Sequence, residues 1–193
     1  MKRVIFVEPQ MDNGSDIFEF FKKNNSDSRM VGMHICLVFP FDSDLTTDDM
    51  QTIMEESLSG QKKFQITVKG TSVSFEAINN FLFLDVDDSK RNLFNMSKEL
   101  YQRLEGYAQL FGNYNPHITV GKCPDMDGFE KMQNELEILG PIEFKATVDT
   151  VYCKVMDMNE NGEPYLKDEV VYHLQKKIDY REEEIPDCAC IYG

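Results

Sequence analysis

The apolar positions of this chain fall into short runs and stripes that switch between strand and helix periods. Residues 3 to 8, Arg3-Val4-Ile5-Phe6-Val7-Glu8, alternate poorly but are apolar and β-branched, which predicts a buried strand. Asn13-Gly14-Ser15-Asp16 reads as a turn running into a helix cap. Ile17, Phe18, Phe20 and Phe21 then recur at helical spacing, as an apolar face expected to be core, up to about Asn24-Asn25. His34 to Phe39 is a strand expected to stop at Pro40. Thr46-Thr47-Asp48-Asp49 opens a second helix with a hydroxyl cap and acids in the first turn. Met50, Ile53, Met54 and Leu58 form its stripe and Gly60 closes it.

Further along, Phe64 to Lys69 alternates with period two, Gly70 interrupts it, and Val73 to Phe75 continues it. Asn79-Asn80 turns into the strand Phe81 to Val86. Ser89 is the expected cap of a helix reaching Gly106 or Leu110, with Leu93, Met96, Leu100 and Leu104 on one face. His117 to Lys122 is a strand. Asp127-Gly128 begins a helix that ends at Gly140-Pro141, and Ile142 to Met156 reads as one long or bulged strand. Asn161-Gly162 is a hairpin signal with Val170 to Leu174 as the return strand. Several neighbouring strands are joined by turns too short for a parallel crossover. An α+β fold follows, with antiparallel sheets flanked by helices.

Composition narrows the class. Fourteen Phe and eight Tyr, with many aliphatic residues, supply a core and exclude a disordered chain. A chain of this length buries roughly 70% of its unfolded surface and needs no disulfides. No linker interrupts it, so residues 1–193 are expected to form one domain, any two lobes being packed and not tethered. Residues from about 181 onward read as a solvated tail. The net charge of −14 argues against long nonspecific nucleic acid as a partner, which would need many Lys and Arg phosphate contacts. It leaves room for a small phosphate site, because charge beyond about 8 Å is screened at physiological salt. Cys36, Cys123, Cys153, Cys188 and Cys190 are an odd set without CxxC spacing, so neither a disulfide framework nor a zinc site is indicated. No apolar stretch approaches the ~20 residues of a membrane helix. The first residues read as a strand and not a signal peptide, so the cytoplasm is the default; a monomer without membrane contact is expected.

Two strands share a pattern: Met33-His34-Ile35-Cys36-Leu37-Val38-Phe39 and Pro116-His117-Ile118-Thr119-Val120-Gly121-Lys122. Each follows a strand and one or more helices, as in a duplicated lobe. Side chains alternate along a strand, so Ile35 and Leu37, like Ile118 and Val120, point into a core. His34 and Cys36, and His117 and Thr119, point the other way. If the lobes face each other across a pseudo-twofold axis, two imidazoles flank one cleft. That arrangement suits in-line displacement at phosphorus, with one ring as base and the other as acid around their unperturbed pKa of about 6.5. A hydroxyl two residues on and a nearby cation suit the nonbridging oxygens.

These paired motifs resemble the His-x-Thr/Ser-x motifs of the 2H phosphoesterase superfamily, in particular its bacterial 2′-5′ RNA ligase and cyclic phosphodiesterase branch. Tyr114-Asn115-Pro116-His117-Ile118-Thr119-Val120-Gly121-Lys122 is the better match. Leu37-Val38-Phe39-Pro40-Phe41 is similar to one bacterial subgroup, and the likeness runs over roughly residues 3 to 156. The resemblance implies a two-lobed, pseudo-twofold fold with a central cleft. It implies opening of 2′,3′-cyclic phosphates of nucleotides or short RNA ends, or the reverse 2′-5′ joining, without metal or other cofactor. Carried over, His34 and His117 are acid and base, and Thr119, Cys36, Lys122 and Tyr114 bind substrate. The chain departs from the pattern in two places. Lys122 stands where relatives often carry Arg, and lysine lacks the bidentate fork. By strict alternation it reaches the cleft only if Gly121 permits a bulge. Cys36 stands where Thr or Ser is usual, and a thiol is a weak donor.

Blander readings stand beside these. The chain could be a noncatalytic nucleotide- or phosphate-binding protein with Cys36 marking decay, or an interaction domain with structural histidines. Tyr114 either packs on a base or supports the strand, and Cys36 is either a nucleophile or a small core thiol. His173 lacks a matching context and reads as structural. Asp85, Asp87 and Asp88, like Glu182-Glu183-Glu184, read as solvated acids and not a metal site.

Overall fold

The computed structural model describes residues 1–12, 15–110 and 112–175. Nine strands and four α-helices are found there: β1 (Lys2–Val7), β2 (Gln10–Met11), α1 (Ser15–Asn24), β3 (Ile35–Asp42), α2 (Thr47–Leu58), β4 (Phe64–Phe75) and β5 (Asn80–Asp87). They continue with α3 (Asn92–Arg103), β6 (His117–Cys123), α4 (Met126–Ile138), β7 (Glu143–Val148), β8 (Thr150–Met158) and β9 (Pro164–His173). One sheet has the order β3-β1-β8-β9 and the other β2-β7-β4-β5-β6. Every pairing in both is antiparallel.

Read inward from β3 and from β6, the two sheets correspond strand for strand. β1 and β5 are the inner neighbours, followed by β8 and β4, then β9 and β7. The helices cross over: α1 packs on β6, whereas α3 packs on β3. A single apolar cluster therefore runs from Ile5, Val7, Ile35 and Leu37 in one sheet to Ile66, Val68, Leu82, Leu84, Ile118 and Val120 in the other. Each such fully buried aliphatic chain contributes about 1.5–3 kcal/mol relative to exposure, so the two sheets stabilise each other through a common interior.

Local physics accounts for most element boundaries and for the departures from the sequence reading. Thr46 caps α2 with a full capping box through Asp49. Ser89, by contrast, does not cap α3. The Asp88 carboxylate does so, accepting from the amides of Leu93 at 3.2 Å and Phe94 at 2.9 Å. The helix is shorter than expected, with the Leu104 amide already donating to the Leu100 carbonyl beyond its end. Asp125 caps α4, which begins at Met126, one residue before the expected start. Pro40 lies inside β3 and does not end it, because β3 is an edge strand and its outer side needs no amide donor. Phe18 is 40% exposed under the Lys22 ammonium, while Ile17, Phe20 and Phe21 carry the buried stripe of α1.

The expected strand from Ile142 to Met156 is two strands in different sheets, separated at Asp149. Ala146, Val148 and Thr150 are buried in alternation, and then Val151 and Cys153 are buried in the opposite phase. A strand that changes sheets keeps period two on both sides, so only this phase slip marks the switch. The return strand also begins earlier than expected, at Pro164, because the Asn161-Gly162 turn caps a longer hairpin. The Asn13-Gly14 turn, the acidic tail, Cys188 and Cys190 lie outside the described residues.

Candidate functional site

β3 and β6 occupy matching edges of the two sheets, and each enters through a histidine. His34 immediately precedes β3 and His117 opens β6. Phe6 lies opposite Cys36 and Val7 opposite Ile35; Phe83 lies opposite Thr119 and Leu84 opposite Ile118. Both strands then slip register at the same point, Ile5 meeting Val38 and Leu82 meeting Gly121. Two consecutive residues are consequently buried in each, Leu37-Val38 and Val120-Gly121. The bulge inverts the alternation, so Lys122 shares a face with Thr119. It sits opposite Phe81, whose ring stacks on that of Phe83 at 6.1 Å and 13°. Glycine suits the bulge in β6, since a Cβ at Gly121 would stand 2.3 Å from the Met132 sulfur and 3.3 Å from Leu82 Cβ. The equivalent position to Lys122 in β3 is Phe39, which is largely exposed.

The two imidazoles are held alike. His34 Nδ1 lies 2.9 Å from the Gly32 carbonyl and His117 Nδ1 lies 2.8 Å from the Asn115 carbonyl. A carbonyl only accepts, so each Nδ1 carries its hydrogen and donates, and each Nε2 is the atom left to exchange a proton. Each ring rests on a phenylalanine of the inner strand, Phe6 at 4.9 Å and Phe83 at 4.1 Å between centroids. His34 lies deeper. Burial pulls its pKa below the ordinary imidazole value, the Gly32 carbonyl, Glu8 and Asp27 oppose that shift, and the charge of His117 adds to it. The rings are therefore within electrostatic reach of each other.

Two side chains tie the paired strands to the segment that precedes the opposite motif. Tyr114 Oη donates to the Cys36 carbonyl at 3.0 Å, and Asn25 Nδ2 donates to the Thr119 carbonyl at 3.0 Å. The Tyr114 hydroxyl is thus engaged by backbone, and burial keeps it neutral. The Cys36 thiol is pushed up to about 12 by burial, so it is a small, protonated group and no thiolate nucleophile at neutral pH. It packs with Val4, Phe6 and Val31. Thr119, two residues after His117, is half-buried on the same face.

Two cations accompany the rings. Lys122 Nζ is 3.3 Å from Asp27. Lys154 Nζ lies 3.2 Å from Asp168 and 3.8 Å from Glu8, and over the rings of Phe6 and Tyr152 at 5.4 and 5.2 Å. Sequence reading missed Phe6, Phe83, Asn25, Asp27, Lys154 and Glu8. One signal was available: Ile5-Phe6-Val7-Glu8 and Leu82-Phe83-Leu84-Asp85 repeat aliphatic-Phe-aliphatic-acid on the two inner strands. Asp85 is not merely solvated, since it lies opposite His117 and accepts from Ser72 Oγ at 2.5 Å. His173 is exposed on β9, with its Nδ1 3.2 Å from the Thr150 hydroxyl. Among the described residues no cluster of three or more His, Cys, Asp or Glu is placed to hold a metal ion, and no helix there is long and apolar enough to cross a membrane.

Two antiparallel sheets presenting a matched pair of histidine strands define a class, and the family comparison agrees with it. Residues 19–159 match the model of the 2′-5′ RNA ligase superfamily, and the chain belongs to that superfamily. Among solved structures it is similar to Escherichia coli LigT complexed with 3′-AMP, at TM-score 0.62 and 13% identity over 91% of this chain and 98% of LigT. It is also similar to TT0787 of Thermus thermophilus, at TM-score 0.60 and 12% identity over 92% of this chain and 100% of that one. Usb1 of Kluyveromyces marxianus aligns at TM-score 0.53 and 12% identity, over 90% and 98% of the two chains. No curated protein matches.

Proposed function

We propose that the protein is a phosphoesterase that opens 2′,3′-cyclic phosphates of nucleotides or short RNA ends, and in reverse joins RNA ends through a 2′-5′ bond. The observation that carries this reading is the pair of rings, each with Nδ1 on a carbonyl two residues back and Nε2 free of intramolecular partners among the described residues. The superfamily membership and the nucleotide complexes of LigT, with 3′-AMP and with ATP, support it.

In the hydrolytic direction a neutral ring accepts a proton at Nε2 from the attacking water. The other, protonated ring donates Nε2–H to the ribose oxygen as its bond to phosphorus breaks. The lowered pKa of His34 suits it to the base, leaving His117 as the acid. Two proton transfers of this kind supply roughly 10²–10⁴-fold each. Thr119 offers a hydroxyl and Lys122 a charge to the nonbridging oxygens, and the Cys36 thiol is the weaker counterpart of Thr119. Tyr114 holds β3 in place through the Cys36 carbonyl. The substrate is a small nucleotide or an RNA terminus, the enzyme working as a monomeric single domain in the cytoplasm.

The test is incubation with 2′,3′-cyclic nucleotides and a cyclic-phosphate oligonucleotide in EDTA. Wild type should release a phosphomonoester, with His34→Ala and His117→Ala each at least a hundredfold slower. No turnover by wild type, or equal rates in the variants, would remove the reading. Binding without turnover would favour a noncatalytic nucleotide-binding protein.

A further inference from the structure

Both cations near the rings already have carboxylate partners, and one of those pairs is built into the site. Asp27 is the second residue of a one-turn 3₁₀ helix, Ser26–Arg29. The buried Asn25 anchors that turn: its Oδ1 accepts from the Asp27 amide at 2.9 Å, while its Nδ2 donates to the Thr119 carbonyl at 3.0 Å. The backbone of Asp27 is therefore fastened to the strand that carries Lys122. Its carboxylate contacts the Lys122 ammonium at 3.3 Å and, among the described residues, otherwise only the Ser26 hydroxyl at 3.5 Å. A half-exposed pair of this kind adds little to stability, so folding alone gives little reason for it.

We propose that Asp27 is a specificity-determining residue, an internal anion on Lys122 that a ligand phosphoryl group must displace, so that singly charged phosphodiesters are admitted and doubly charged phosphomonoesters are disfavoured. The inference rests on the phosphoesterase reading above and deepens it. A ligand that takes Lys122 leaves the Asp27 carboxylate nearby, because Asn25 does not release its backbone. The remaining repulsion grows in proportion to ligand charge. A cyclic phosphodiester carries one negative charge. The monoester formed when water opens it loses a second proton with a pKa of about 6 and becomes a dianion. Asp27 therefore acts on the ligand after the P–O bond has broken and hastens its departure.

The measurement is calorimetric binding at pH 8 of adenosine 2′-monophosphate and of 2′,3′-cyclic AMP to the full chain. It compares Asp27 with Asp27→Asn, both in a His117→Ala background so that the cyclic ligand is not consumed. Circular dichroism verifies that the folds match. The expected result is a gain of about tenfold for the monoester and about threefold for the cyclic diester. Equal gains for both ligands, or no gain for either, would overturn the role of Asp27 while leaving the phosphoesterase reading standing. Absence of binding by both ligands to both proteins would overturn the two together.

Discussion

Cys36 is the residue at which the two halves of the site differ most. It occupies the register position of Thr119, opposite the equivalent phenylalanine, yet presents a half-buried, protonated thiol where the other half presents a hydroxyl. Threonine is close to it in volume, and its methyl group can take the place of sulfur against Phe6. Cys36→Thr should raise kcat/KM for a 2′,3′-cyclic nucleotide about tenfold, the equivalent of one hydrogen bond to a charged group. An unchanged or lower value would mean that the phosphate does not approach β3. The depth of His34 gives a second expectation. A general base must be neutral, and burial holds this ring neutral to lower pH than an ordinary imidazole. The acid limb of kcat/KM should therefore fall below a pH of about 6.5. A limb at or above that value would move the base role away from His34. The histidines, Thr119 and Cys36 were legible because their spacing repeats. Asp27 and Asn25 were not, since a short polar turn has no period and gains meaning only from the strand it touches.

At the scale of elements, the paired bulges decide which side chains share a face with Cys36 and Thr119. A bulge on an edge strand leaves backbone groups without a ladder partner. In β3 these are met by α3: Ser97 Oγ donates to the Leu37 carbonyl at 2.7 Å, and the Phe39 amide donates to Tyr101 Oη at 3.1 Å. Ser97→Ala would leave that carbonyl buried and unpaired, at a cost of about 1–3 kcal/mol. Urea denaturation should show the loss. A change under about 0.5 kcal/mol would mean that β3 holds its shape without α3. The strands and helices were largely legible from period and caps. The sheet switch at Asp149 and the bulge at Gly121 were not, because each is a change of phase and not of composition. Lys122 was readable as a candidate only on condition of that bulge.

At the scale of the whole molecule, the sheet that carries His34 is pinned by a buried ion pair between β1 and β9, two strands that are not neighbours. Arg3 is fully buried and donates through Nε and Nη2 to Glu169 at 2.7 Å each, and to the Ser43 hydroxyl and Leu45 carbonyl. Glu169→Ala should cost about 3–5 kcal/mol, because it strands the Arg3 charge. Hydrogen bonding to Arg3 lowers the Glu169 pKa. The pair therefore stabilises fully above the unfolded carboxylate value of about 4.3, and its contribution is lost as pH falls through the lower folded value. The stability gap between wild type and Glu169→Gln should shrink over that range, measured by denaturation at successive pH values. A gap independent of pH would mean that Glu169 is not ionised in the fold.

The amino-acid order alone determined that this chain builds antiparallel sheets with helices, that its halves repeat, and that each repeat offers one imidazole on a core-forming strand. Those are consequences of periodicity, and periodicity is local. Tertiary structure alone decided which edges the two strands occupy, how the helices cross to the opposite sheet, where alternation slips, and which carboxylate meets each lysine. Such pairings join residues far apart in the chain, and they are settled by which arrangement buries the common core and satisfies the backbone groups left at its edges.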